Sequence, residues 1–220
     1  MIPPAGNGEF VAAMERVLDV YRRPYDVARP VVCMDETPRQ LIRETRTPLA
    51  PQPGCLERHD YEYERCGVCN VFMATEPLAG RRLTKVTERK TKIDWAQFIE
   101  EIAEHYVDAE QITLVMDNLN THCPGALYEA LPPDQAKALW DRFEFVYTPK
   151  HGSWLNVAEI ELNVMISQCL RRRIDNIEEL AEEVSTWQTH RDQLDATVNW
   201  QFTAQDARIK LERLYPTLQT

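Results

Sequence analysis

Three acidic positions are set apart by what surrounds them. Asp35 closes VVCMD and Asp117 closes ITLVMD, two short apolar runs rich in β-branched residues that read as buried strands. A carboxylate at the tip of a buried strand lies where α/β proteins place ligands. Aspartate at a strand end is also an ordinary turn residue, so neither position decides anything alone. The third position lies in YTPKHGSWLNVAEIELNV, where Asn156 precedes Glu159 by three residues at the start of an amphipathic helix. That spacing equally fits a helix cap and its capping-box partner, the cap contributing about 0.5 to 2 kcal/mol. On the helical wheel Ala158, Leu162, Met165, Ile166 and Cys169 form the buried stripe. Glu159 and Glu161 flank it on opposite sides, and periodicity does not choose between them.

These carboxylates need a scaffold, and the rest of the chain supplies its outline. Residues 8 to 23 space Phe10, Met14, Val17 and Val20 as an amphipathic helix does, and Pro24 ends it. The strand ending at Asp35 is bounded by Pro30 and Pro38. From Arg39 to Asp60 the chain is polar and carries Pro48, Pro51, Pro53 and Gly54, which predicts an irregular excursion of the functional kind. Strand-like stretches at about 62 to 75 and 81 to 89, separated by PLAG, suit an antiparallel hairpin. Asp94 is expected to cap the helix WAQFIEEIAEHY. After Asp117 come a helical stretch to about Arg142, the strand FEFVYTP, and long helices from Asn156 onward. The order predicts a mixed α/β layout around one central sheet. Residues 1–28 are read as an N-terminal helix and connector, and 29–220 as one catalytic-size domain.

Composition narrows the class. With 220 residues, 44% hydrophobic and 27% charged, the chain is long enough to build a full core without staples. No apolar run approaches the ~18 residues of a membrane span, so a soluble, cytoplasmic protein with no membrane partner is expected. The 25 Lys and Arg against 35 Asp and Glu leave a charge of -10, unlike a stand-alone nucleic-acid binder. If the chain works on DNA, another segment must supply much of the grip. The six cysteines are too dispersed for a disulfide framework.

VVCMDETPRQL, LVMDNLNTH and YTPKHGSWLNVAEIEL, in this order, resemble the three acidic motifs of insertion-sequence transposases of the mariner superfamily, most closely the six-thirty family of bacterial insertion sequences. The likeness continues through HDYEYER, VFMATEPLAG, VTERKT and DARIKLERLYP, so it covers nearly the whole chain. The resemblance implies a DDE superfamily endonuclease with an α/β, ribonuclease H-like fold, its central mixed sheet flanked by helices. It implies that Asp35, Asp117 and Glu159, not Glu161, hold two Mg²⁺ or Mn²⁺ ions. Such ions prefer oxygen ligands, and a pair about 3.5 to 4 Å apart can serve an in-line phosphodiester displacement. Water would free a 3′-hydroxyl at an element end, and that hydroxyl would attack target DNA at a TA dinucleotide. DNA and a second copy of the chain are the implied partners, with no nucleotide cofactor.

In that reading Asn118, Asn120, His122, His151, Ser153 and Asn156 support the carboxylates or touch DNA; as plain sequence they are turn and cap residues. The run RRLTKVTERKTK, with Arg81, Arg82, Lys85, Arg89, Lys90 and Lys92, offers phosphate contacts, and Arg171–Arg173 a second basic run. Transposases of this type carry helix-turn-helix modules ahead of the catalytic domain, so this chain is expected to be the catalytic half alone. Its rivals are a non-catalytic remnant that dimerises without acting on DNA, and a structure-directed nuclease of the same fold. Cys55, His59, Cys66 and Cys69 have zinc-ligand types, but residues three apart on a strand face opposite ways, which disfavours zinc. An aspartyl-phosphate phosphatase would need a second Asp two residues after Asp35, where Thr37 stands.

Overall fold

The computed structural model describes residues 6–50, 52–54, 56, 58 and 60–217. Five strands make one mixed sheet in the order β3-β2-β1-β4-β5. β1 (Val31–Glu44) pairs antiparallel with β2 (Tyr63–Glu76), which turns tightly at PLAG into antiparallel β3 (Arg81–Thr87). On its other side β1 pairs parallel with β4 (Ile112–Met116), and β4 pairs parallel with β5 (Phe143–Tyr147).

Strand alternation assigns the two faces of this sheet. Val32, Met34, Phe72, Leu114, Met116 and Phe145 meet Trp95, Phe98, Ile99 and Ile102 of helix α2 (Lys92–His105). Helices α3 (Pro124–Ala130) and α4 (Pro133–Asp141) complete that layer. On the other face Cys33, Val115 and Val146 meet α1 (Gly8–Tyr21), whose Phe10, Met14, Val17 and Leu18 are buried in the same cluster. Helix α5 (Val157–Gln168) crosses this face, giving Ala158 to the cluster under α1 and Leu162 and Met165 to a third cluster under α6 (Ile177–Gln193). α7 (Ala204–Lys210) closes the α1 side.

Four expectations are corrected. Asp35 is not a strand end: β1 runs nine residues past it, through Pro38 and most of the expected excursion. Beyond Cys33 β4 no longer pairs with β1, so the far half of β1 has a strand neighbour on one side only and tolerates a residue without an N–H. Thr91, not Asp94, caps α2; Asp94 is its capping-box partner. The stretch to Arg142 is two helices, broken where Pro132 follows Leu131. Cys66 and Cys69 do not face opposite ways, because a bulge opposite Leu41/Ile42, with Gly67 at φ 119, resets the alternation and both touch the third cluster. Cys55 and His59 lie outside the described residues. Among the described residues no helix is long and apolar enough to cross a membrane.

Candidate active site

Register brings the two aspartates side by side. The parallel ladder pairs Cys33 with Val115, so Asp35 and Asp117 stand at the same level, two residues beyond the last paired rung of strands about 4.8 Å apart. β4 is buried along its whole length, and the chain turns away directly after it, leaving Asp117 partly exposed at the lip.

Asn156 ties the third carboxylate to the first. Its Oδ1 accepts from Ala158 N at 3.1 Å and so starts α5, while its Nδ2 donates to Met34 O at 2.8 Å and to Asp35 Oδ2 at 3.3 Å. One buried amide therefore sets where the helix begins and holds the strand aspartate beneath it. Glu159 lies on the first turn of that helix, half-buried, and its carboxylate has no hydrogen bond or ion pair among the described residues. Upstream, Gly152 makes the turn possible, since a Cβ there would come within 2.6 Å of Pro149 Cγ.

The electrostatics mark the same place. Burial pushes the Asp35 carboxyl up to about 7, and the charges of Glu36, Asp117 and Glu159 add to that rise against a lowering by the Glu36 N–H. Asp35 thus sits in the field of both other carboxylates. Among the described residues no three His, Cys, Asp or Glu side chains are gathered as a ready-made metal-holding group. Mg²⁺ sites commonly use one or two carboxylates and leave the remaining positions to water and phosphate, so an all-oxygen set of mutually repelling carboxylates fits an open divalent-cation site.

Glu161 has a different fate. It is fully buried and takes Arg82 Nε at 2.8 Å and Arg191 Nη2 at 3.0 Å, which hold its carboxyl below the usual range in spite of burial. This corrects the expectation for Arg82, which is Glu161's partner in the core and not an exposed phosphate contact. Arg82 is 1% exposed and also bonds Asp192 and the carbonyls of Gly80 and Ala196. The basic run is dispersed because a strand sends alternate residues to opposite faces. Lys85 pairs with Glu101 of α2, Lys90 approaches Glu36, and Lys92 pairs with Glu129. Arg81 and Arg89 remain exposed. In the second run Arg172 bridges Glu179 and Glu183, and Arg173 binds Glu44 and the carbonyls of Asp60 and Glu62.

Among the supporting residues His122 is buried, with Nδ1 2.6 Å from Asp117 Oδ1. Burial opposes its charge, but Asp117 and Glu36 outweigh that and lift the imidazole to about 9. Asn118 and Asn120 are exposed on the loop after Asp117, and His151 and Ser153 are exposed on the turn before α5, His151 with φ 67. Glu36 was missed from the sequence; its signal was the adjacency of two acids in a strand, which places them on opposite faces.

The family described as DDE superfamily endonuclease matches residues 30–181, which include all three carboxylates. No curated protein matches the chain. Among solved structures, the Mos1 transposase paired-end complex with left transposon end aligns with 89% of this chain and 60% of its own at 13% identity and TM-score 0.59. The Mos1 mariner paired end complex with Mn aligns with the same shares at 15% identity and TM-score 0.56. The catalytic domain of Mos1 mariner transposase aligns over 89% of both chains at 12% identity and TM-score 0.55. This chain thus spans about 60% of the Mos1 chain in the paired-end complexes. The five-stranded mixed sheet flanked by helices is the expected ribonuclease H-like fold.

Proposed function

The chain belongs to the DDE superfamily endonuclease family, and we propose that it is the catalytic domain of a DNA transposase that cuts element ends and joins them to target DNA. The observation that carries the reading is the convergence of Asp35, Asp117 and Glu159 from two neighbouring strands and the helix above them, with Glu159 unpartnered among the described residues. The Mos1 complexes with transposon-end DNA and with Mn support the substrate class and the divalent cation.

In this reading Asp35, Asp117 and Glu159 hold two Mg²⁺ or Mn²⁺ ions. When bound, the ions supply activation of the attacking oxygen and neutralisation of charge on the leaving oxygen of an in-line displacement. Asn156 keeps the Asp35 carboxylate turned toward α5. The partly exposed lip leaves room for a phosphodiester to enter. With Arg82 and Lys85 engaged inside the fold, Arg81 and Arg89 are the cations of the basic run best placed for phosphates. Grip on a specific DNA end then rests on segments beyond this unit, as does pairing of two ends by two copies.

Incubating the chain in Mn²⁺ with element-end duplex, RNA–DNA hybrid and branched DNA tests the reading. Nicking of duplex that falls at least ~10³-fold in Asp35→Asn, Asp117→Asn or Glu159→Gln is expected. Preference for the hybrid or the branched substrate would make it a nuclease of another specificity, and no cleavage of any would leave a non-catalytic module.

A further inference from the structure

Glu36 follows Asp35 in β1 and points to the other side of the sheet. The register shows it: Asp35 lies opposite Met73, of the cluster under α5 and α6, whereas Glu36 lies opposite Phe72, of the cluster under α2. Its side chain is 3% exposed, with Oε2 3.3 Å from Nε2 of His122 and Oε1 3.6 Å from Nζ of Lys90. His122 is 1% exposed, stacks on the Trp95 ring at 5.7 Å between centroids, and presents its other nitrogen to Asp117 Oδ1 at 2.6 Å. The imidazole is thus clamped between two carboxylates and an indole, one carboxylate below the sheet and one at the lip of the candidate site.

Desolvating such a chain of charges costs several kcal/mol per ion and is poorly repaid by attraction alone, so this is a poor way merely to stabilise a core. It is a good way to aim a side chain. Asp117 lies one residue past the β4 ladder, where pleating no longer fixes the direction of its carboxylate. Its Oδ1 is buried 2.6 Å from His122 Nδ1, with no other hydrogen-bond partner to hold it. Carboxylates and histidines behind a metal ligand set its orientation in this manner. We propose that Glu36 and His122 are a positioning pair for Asp117, so that adjacent residues of β1 serve one centre from opposite faces: Asp35 directly, Glu36 through the imidazole. The proposal rests on the reading of Asp35, Asp117 and Glu159 as a divalent-cation centre.

Calorimetric Mn²⁺ titration of the intact chain tests it without any DNA. Asp117→Asn marks loss of the ligand itself. Glu36→Gln and His122→Leu should weaken Mn²⁺ binding ~10- to 100-fold. His122→Asn, whose amide nitrogen falls near the place of Nδ1, should recover part of that loss and keeps the test available if the leucine variant does not fold. Ile99→Val, in the same cluster under α2, should lower the melting temperature and leave Mn²⁺ affinity unchanged. If Glu36→Gln and the His122 variants bind Mn²⁺ as the parent does while Asp117→Asn does not, the positioning role is overturned and the cation centre stands. A parent chain that binds no Mn²⁺ would overturn both.

Discussion

Glu159 and Glu161, two residues apart on α5, live in opposite electrostatic conditions. Glu161 is sealed in the core with two arginines that reach it from β3 and α6, so its charge is answered within the fold. Glu159 stands half-exposed where its charge acts on Asp35, and no cation among the described residues answers it. One group of charges is answered within the fold, and in the other Glu159 has no countercharge among the described residues. The helix makes the difference: residues two apart on a 3.6-residue turn face well away from each other.

The contrast breaks most visibly at Glu161. Glu161→Gln should destabilise the protein by about 3 kcal/mol in denaturant unfolding, because buried Arg82 loses its nearest countercharge and keeps only Asp192 and two carbonyls.

A comparable effect, about 4 kcal/mol at most, should appear at Asp35 as a pH dependence. Its carboxyl moves from an ordinary 3.8 to about 7 on folding, so the unfolded chain ionises first and stability falls as pH rises from about 4 to 7. Asp35→Asn should flatten that window, and Mg²⁺ should restore stability above it. His122 falls in a higher window. Its folded value of about 9 against an ordinary 6.5 gives stability that is fully present below 6.5 and lost as pH climbs through 9. Melting curves across pH 4 to 9 separate the two.

Smaller again, Asn156→Ala should cost about 1 to 2 kcal/mol through loss of the cap. Its effect on Mn²⁺ affinity should exceed what that loss accounts for, since Asp35 is freed as well. A change in stability alone would reduce Asn156 to a cap.

Much of this arrangement was legible beforehand, because local pattern carries it. Two apolar runs ending in aspartate, the hairpin at PLAG and the asparagine three residues before a glutamate each lie within a dozen residues, where periodicity and capping act. What escaped depends on distant partners. Arg82 and Glu161 are 79 residues apart, and nothing near either one reveals that each buries the other's charge. A run of basic residues reads as a surface until strand alternation divides it, as it divides Arg82 from Lys85. The extension of β1 through Pro38 depends on β4 having ended, a fact of tertiary structure. Glu36 was hidden for the same reason: its partner, His122, comes from the loop after a strand that is not adjacent in sequence.

The central claim is that the open group of charges, and not the closed one, receives the cation. The most direct measurement is the rise in melting temperature on adding Mn²⁺ to the parent, Glu159→Gln and Glu161→Gln. Glu159→Gln should melt within about 0.5 kcal/mol of the parent without metal, as surface changes do, and should lose the Mn²⁺-induced rise. Glu161→Gln should melt far lower and keep the rise in full. A Glu159→Gln protein that still gains stability from Mn²⁺, beside a Glu161→Gln protein that does not, would contradict the account.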